Sequence, residues 1–171
     1  MSRAPALPVP PGLVSCRAVL AYDDEVRAAI TGLKNGDQRA RVAQLAGALA
    51  ALVPEVPGLV VTWAPTSGPR RRRRGFDQAE LLARAVARRR GLRARGLLRR
   101  LAGPAQVGRG AGERWGNPRF AARRCEGPVL LVDDVATTGA TLSAAALALR
   151  AAGAHEVHGL VVARAPRPPS K

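Results

Sequence analysis

The run Pro128-Val129-Leu130-Leu131-Val132 passes directly into Asp133-Asp134, and then into Val135-Ala136-Thr137-Thr138-Gly139-Ala140-Thr141 and an Ala/Leu-rich stretch. A short apolar run rich in β-branched residues is the pattern of a strand covered on both faces, as in a parallel sheet. Two acids at its carboxyl end fall where open α/β sheets form their ligand crevice. The loop that follows has the makings of a phosphate cradle. Gly139 lets the backbone turn and approach a ligand closely, and the amides opening the next helix have no intrahelical acceptor. Thr137, Thr138 and Thr141 add hydroxyls. Carboxylates that accept from sugar hydroxyls, set beside a loop that cages a phosphate, suit a ribose 5-phosphate. An ordinary strand end followed by a Thr-rich helix cap uses the same residue types.

The rest of the chain supplies a sheet around that strand. Arg17 to Tyr22 reads as a first strand, and Asp23 and Asp24 can cap a helix through Val26, Ala29, Ile30 and Leu33, closed by Asn35-Gly36. A second helix, capped by Asp37, carries Val42, Leu45, Ala46, Leu49 and Val53 on one face and ends before Pro54. Leu59–Trp63 is a second strand, followed by a polar loop, 64–75, and a helix over about 77–90. Residues 96–101 and 119–122 are short strands separated by a Gly-rich stretch, 102–116. A loop of that length is usually functional, often a lid. A helix over 141–152 and a strand over 157–163 complete the pattern. Strands alternating with helices predict one α/β domain with a mostly parallel central sheet flanked by helices on both faces.

Composition narrows the remaining choices. The chain has 171 residues, enough for one domain with a real core. Aromatics make up only 3%, so Ala, Leu and Val must build that core. Cys16 and Cys125 form neither a disulfide framework nor a zinc cluster, and no apolar run reaches membrane-spanning length. Residues 1–15 read as a disordered Pro-rich leader, 16–165 as the domain and 166–171 as a disordered tail. The expected location is cytoplasmic, without membrane insertion.

The formal net charge of +16 attracts polyanions, but nearly all of the basic residues are Arg in a chain also rich in Ala and Gly, as GC-rich coding favours. Scarce aromatics argue against a base-stacking platform. His155 and His158 are expected to be surface or sheet-edge residues, and Cys125 a structural thiol.

The signature Asp133, Asp134, Thr138, Gly139, Thr141 resembles that of the type I phosphoribosyltransferases. Three further stretches resemble the ComF family of that superfamily, proteins associated with bacterial competence for DNA uptake. One runs from Tyr22 through Val26-Arg27, Ile30 and Leu33-Lys34 to Gly36-Asp37. The next is Pro65, Arg70, Arg72 and Arg74-Gly75-Phe76-Asp77-Gln78-Ala79-Glu80-Leu81-Leu82. The last is Gln106, Arg114, Asn117 and Phe120. The likeness spans roughly 17–165. Two features depart from the family: the cysteine-rich zinc ribbon that many relatives carry before the first strand is represented only by Cys16, and Asp77 stands where Asn is usual.

The resemblance implies a type I phosphoribosyltransferase-like fold with a flexible hood loop containing Gln106 and Arg114. It implies a ligand, 5-phosphoribosyl 1-diphosphate, bound with Mg²⁺. Asp133 and Asp134 would serve the ribose hydroxyls as the catalytic pair. Ala136, Thr137, Thr138, Gly139, Ala140 and Thr141 would hold the 5-phosphate, and Arg70, Arg72 and Arg74 the pyrophosphate, since a guanidinium fork binds phosphate oxygens bidentately. Mg²⁺ keeps several waters and bridges diphosphate oxygens, so no protein metal ligand is assigned. The activity implied is phosphoribosyl transfer to a nitrogen acceptor that the sequence does not identify. Purine salvage is disfavoured, because Thr137 stands where the hypoxanthine–guanine enzymes have an Asp serving the base. The alternatives are a non-catalytic phosphoribosyl-diphosphate sensor and a competence component that binds single-stranded DNA or the competence machinery. Oligomeric state is not legible.

Overall fold

A computed structural model describes residues 8–21, 38–68, 72, 75–101 and 118–164. The expected helix through Val26 and Leu33, the loop positions Arg70 and Arg74, the hood positions Gln106 and Arg114, and the tail from residue 165 lie outside them. The central sheet has five strands, β1 (Ser15–Ala21), β2 (Val60–Trp63), β3 (Arg93–Ala94), β6 (Gly127–Ala136) and β7 (Ala154–Arg164). They are parallel throughout, in the order β1-β7-β6-β2-β3. Strands β4 (Leu98–Leu101) and β5 (Arg119–Ala122) form a separate antiparallel ribbon, with Leu101 opposite Arg119. The described helices are α1 (Gln38–Ala50), α2 (Gln78–Arg90) and α3 (Ala140–Ala151).

Alternation along β6 sets the two layers of the core. Leu130 and Val132 face the side of α1 and α2, where they meet Leu49, Leu82, Val86, Val61 and Leu160. Val129 and Leu131 face α3, where they meet Leu142, Ala145, Leu149, Val157 and Val161. Each of these large side chains, fully removed from water, stabilises the fold by about 1.5–3 kcal/mol. Covering on both faces explains the unbroken apolar run that marked this strand in the sequence. It also places β6 at the centre of the sheet, which fixes where its carboxyl end emerges.

The first helix on the α1/α2 side ends before Pro54 as the sequence predicts. The second starts at Asp77, whose side chain accepts from the Glu80 amide, and stops at Gly91 in a left-handed turn (φ 65°). Buried Thr62 in β2 accepts the Leu97 amide at 3.2 Å, joining the sheet to the start of the ribbon. No helix among the described residues is long and apolar enough to cross a membrane.

Three expectations change. The strand expected over 128–132 runs on through both acids to Ala136, because β7 continues beside it as far as Arg164. Arg93–Ala94 adds a short fifth strand that two residues with one exposed Arg do not advertise. His158 is neither a surface nor a sheet-edge residue. It is buried in β7, an interior strand, and both ring nitrogens have partners: Ser15 Oγ at 2.9 Å from Nδ1 and Glu156 Oε2 at 3.2 Å from Nε2. Those partners remove most of the desolvation cost that makes a buried imidazole improbable from sequence alone. His155 is exposed, as expected. Cys125 is buried, its thiol donating to the Leu149 carbonyl.

Candidate functional site

The last pairing between β2 and β6 is Trp63 with Val132, extended by the Ala64 amide donating to the Val132 carbonyl. Past that point β6 keeps β7 on one side and has no strand of the described residues on the other. Asp133 and Asp134 are the first two residues of this one-sided stretch. The crevice is therefore the gap beside β6 that β2 leaves when it turns away.

Within it the carboxylates take over local hydrogen bonding. The Asp134 amide donates to Asp133 Oδ1 and the Val135 amide to Asp134 Oδ1, each at 2.8 Å. Asp133 is only 8% exposed and Asp134 is half-buried. Burial pushes the Asp133 carboxyl well above the ordinary carboxylate value, and the neighbouring Asp134 and Asp77 push it further in the same direction. Three acids of one sign thus converge with little water to screen them. The arrangement accommodates hydroxyl donors and cations, and disfavours bare anions next to the acids.

The anion-friendly part of the site begins at Ala136. Thr137 and Thr138 are exposed, and Gly139 stands at the head of α3 in the left-handed region (φ 77°), with no side chain to cap the helix. Thr138 Oγ1 accepts the Ala140 amide at 3.3 Å, and the Gly139 carbonyl accepts the Ser143 amide at 2.8 Å. Residues Val135 to Leu142, with Asp133, enclose a cavity of about 30 Å³. One water needs roughly 10–15 Å³ measured this way, so the space suits a compact group. No acidic residue occupies the first turn of α3, which leaves the positive end of the helix dipole facing that cavity uncompensated. All six residues predicted for the 5-phosphate, Ala136 to Thr141, line it, and Asp133 joins them; Asp134 is not among the lining residues.

Of the three predicted pyrophosphate arginines only Arg72 is among the described residues, and it is exposed. One residue beside this loop has a larger role than the sequence indicates. Asp77, read as a helix cap, also accepts the Thr66 amide through Oδ2 at 2.9 Å, while Oδ1 accepts the Glu80 amide at 3.4 Å. A single buried carboxylate thus ties Thr66, three residues past the end of β2, to the start of α2, with the Arg-rich stretch between them in sequence. Burial raises its own carboxyl above the ordinary value, against the amides of Thr66, Glu80 and Ala79 that lower it. A cap motif signals the contact with Glu80; nothing local signals the one with Thr66, eleven residues away.

For a divalent cation the donor set here is two adjacent carboxylates. No group of three or more His, Cys, Asp or Glu able to hold a metal occurs among the described residues. That set fits Mg²⁺ arriving with a ligand whose own oxygens and waters complete the shell, as a hard octahedral ion requires.

No family model matches the chain, and no curated protein matches it. Among solved structures it is similar to an allosteric regulatory enzyme of purine biosynthesis, with 25% identity, 70% of this chain and 25% of that chain covered, and a TM-score of 0.48. It is also similar to a purine phosphoribosyltransferase from Pyrococcus horikoshii Ot3, with 17% identity, 78% and 89% covered, and a TM-score of 0.39. The chain spans about a quarter of the length of the first.

Proposed function

We propose that the chain is a phosphoribosyltransferase-like protein that binds 5-phosphoribosyl 1-diphosphate with Mg²⁺ and transfers the phosphoribosyl group to a nitrogen acceptor, in a competence or DNA-uptake setting as its ComF resemblance implies. The observation that carries this reading is the continuity of the site. Two carboxylates at the open side of β6 run without a break into a Thr/Gly loop that lines a small cavity at the head of α3, where Gly139 offers no capping side chain. A ligand with hydroxyls next to a terminal phosphate satisfies both halves at once. The Arg-rich stretch follows the neighbouring strand β2 in sequence, and its guanidiniums are the groups suited to a second anionic group at the other end of the sugar.

In transfer, the bond from C1 to the diphosphate oxygen breaks, positive charge develops on the sugar ring, and the acceptor nitrogen forms the new bond at C1. The chain's own groups act by placement. Asp133 and Asp134 hold the ribose hydroxyls, and the 136–141 loop anchors the far phosphate so that C1 is presented at a fixed position. Arginines of the 70–74 loop stabilise charge on the departing diphosphate. Bound Mg²⁺ supplies further neutralisation of that leaving group. Thr137 cannot accept a proton at neutral pH, so the proton that the acceptor nitrogen sheds leaves by another route.

Calorimetry with 5-phosphoribosyl 1-diphosphate and Mg²⁺ tests this reading, followed by a pyrophosphate-release screen across amine acceptors. Wild-type protein is expected to bind the diphosphate sugar, and ribose 5-phosphate more weakly. Asp134→Ala should weaken binding by about 1–3 kcal/mol, through loss of acceptors for buried hydroxyls. Arg74→Ala should weaken 5-phosphoribosyl 1-diphosphate and leave ribose 5-phosphate unchanged. Absence of binding by the wild type at millimolar ligand overturns the assignment.

A further inference from the structure

The segment assigned to the leader on sequence contains residues 8–14, and these lie along the flank of the site. The buried Arg164 guanidinium donates to the Pro8 carbonyl from the end of β7, where Arg164 is paired with Ala136 at the start of the phosphate loop. Pro10 is buried, and the Leu13 amide donates to its carbonyl, closing a turn. Gly12, at φ +86°, presses on α3: a Cβ there would lie 3.1 Å from Ala146 Cβ and 3.2 Å from the Leu147 nitrogen. Val14 then donates to the Val157 carbonyl and the chain enters β1. Residues 8–14 therefore form a strap that passes from the carboxyl end of the sheet, down the side of α3, to the start of the edge strand.

At the upper end of this strap the contact is with the phosphate loop itself. A Cβ on Gly139 would lie 3.0 Å from Pro10 Cγ and 3.4 Å from Pro10 Cβ. Gly139 is thus confined twice: its positive φ admits glycine readily, and the pyrrolidine ring closes the space a side chain would need. A rigid ring with fixed φ and few internal degrees of freedom suits such a wall. Gly139 itself and the residues that open α3, Ala140 to Leu142, line the cavity.

We propose that Pro10 is a positioning residue of the phosphate pocket: it holds the left-handed turn at Gly139 so that the opening turn of α3 is set against the cavity before any ligand arrives. The proposal rests on the 5-phosphate reading of that cavity and extends the pocket to a residue 129 positions earlier in the chain (139 − 10). Without the ring, the ligand itself must order the turn, and its affinity falls by the cost of that ordering. The contact lies at one end of the proposed ligand only, so the loss is confined to that end.

The experiment uses the full-length protein as wild type, Pro10→Gly and Pro10→Val, the last retaining Cβ and Cγ atoms against Gly139. Affinities for ribose 5-phosphate and for inorganic pyrophosphate with Mg²⁺ are measured on the same preparations, with thermal melting as the control for folding. Pro10→Gly is expected to bind ribose 5-phosphate about tenfold more weakly, the scale of one loop's ordering cost, with pyrophosphate affinity unchanged. Pro10→Val is expected to recover most of the loss. Equal ribose 5-phosphate affinity in wild type and Pro10→Gly overturns the proposal, and so does a parallel loss of both ligands, which marks a general structural role. A wild type that binds neither ribose 5-phosphate nor 5-phosphoribosyl 1-diphosphate overturns the ligand assignment, and the proposal with it.

Discussion

Asp133→Asn is expected to melt at a higher temperature than the wild type at neutral pH, and to bind 5-phosphoribosyl 1-diphosphate more weakly. The cause is the position of Asp133 in the one-sided stretch of β6, where burial first and then the charges of Asp134 and Asp77 oppose its ionisation and outweigh the Asp134 amide that favours it. The folded state holds this proton more tightly than the unfolded chain, where the carboxyl titrates at its ordinary 3.8. The contribution to stability is full below 3.8 and is lost as pH rises through the folded value. Asn removes the ionisation and with it that decline. Thermal melts of the two proteins should therefore diverge as the pH is raised and converge as it is lowered toward 3.8. Melts that stay parallel across this range would show that the carboxyl is not strained. A stabilised but poorly binding variant is the pattern expected when a site stores unfavourable charge for the sake of its ligand.

Gly153→Ala is expected to be the most damaging single-methyl change outside the site. Gly153 follows α3 at φ +105°, and a Cβ there would lie 2.6 Å from the carbonyl oxygen of Cys125, a backbone atom that cannot swing away. The Cys125 amide in turn donates to the Ala152 carbonyl at 3.0 Å, so the segment leading into β6 is fastened to the end of α3 at this point. Strain and enforced displacement together should cost on the order of 3 kcal/mol. Gly127→Ala is the matched comparison, because its φ of +84° is similarly strained but nothing lies within 4 Å of the added methyl. Chemical denaturation should place Gly127→Ala well above Gly153→Ala, with only about 1 kcal/mol lost from strain alone. Equal losses would show that the Cys125 carbonyl yields and that backbone conformation is the whole effect.

The parts of this molecule that were legible in the sequence are those set by local pattern. Alternation and spacing located β2, α1, α2, α3 and both strands of the ribbon to within a few residues, since one buried face imposes a period that survives in the chain. The geometry of the loop from Thr137 to Thr141 was legible for the same reason: its residues are contiguous, and a strand, a Gly and a helix start in that order leave little choice of geometry. Hydrophobicity failed where pairing took over. Strand β6 continues past Val132 through two acids because β7 lies beside it, and no apolar run records that. The Thr66–Asp77 bond, the imidazole of His158 between Ser15 and Glu156, and the ring of Pro10 over Gly139 were not legible either. Each depends on a partner that only the folded chain brings near, and for His158 and Pro10 that partner stands more than a hundred residues away.

The pairing of the first strand with the last has a consequence for synthesis. Ser15 stands opposite His158 and Ala21 opposite Arg164, so β1 stays without its neighbour until residues 158–164 have left the ribosome. Until then the growing polypeptide carries an apolar strand with an unpaired edge, and Pro8 has no Arg164 to receive. Contacts of such long sequence separation form slowly, because the intervening loop must close first. The 136–141 loop, proposed to hold a phosphate, is by contrast translated with only α3 between it and β7. Binding competence should therefore emerge late and abruptly during translation, and nascent chains stalled short of Ala154 should be captured by chaperones rather than by ligand.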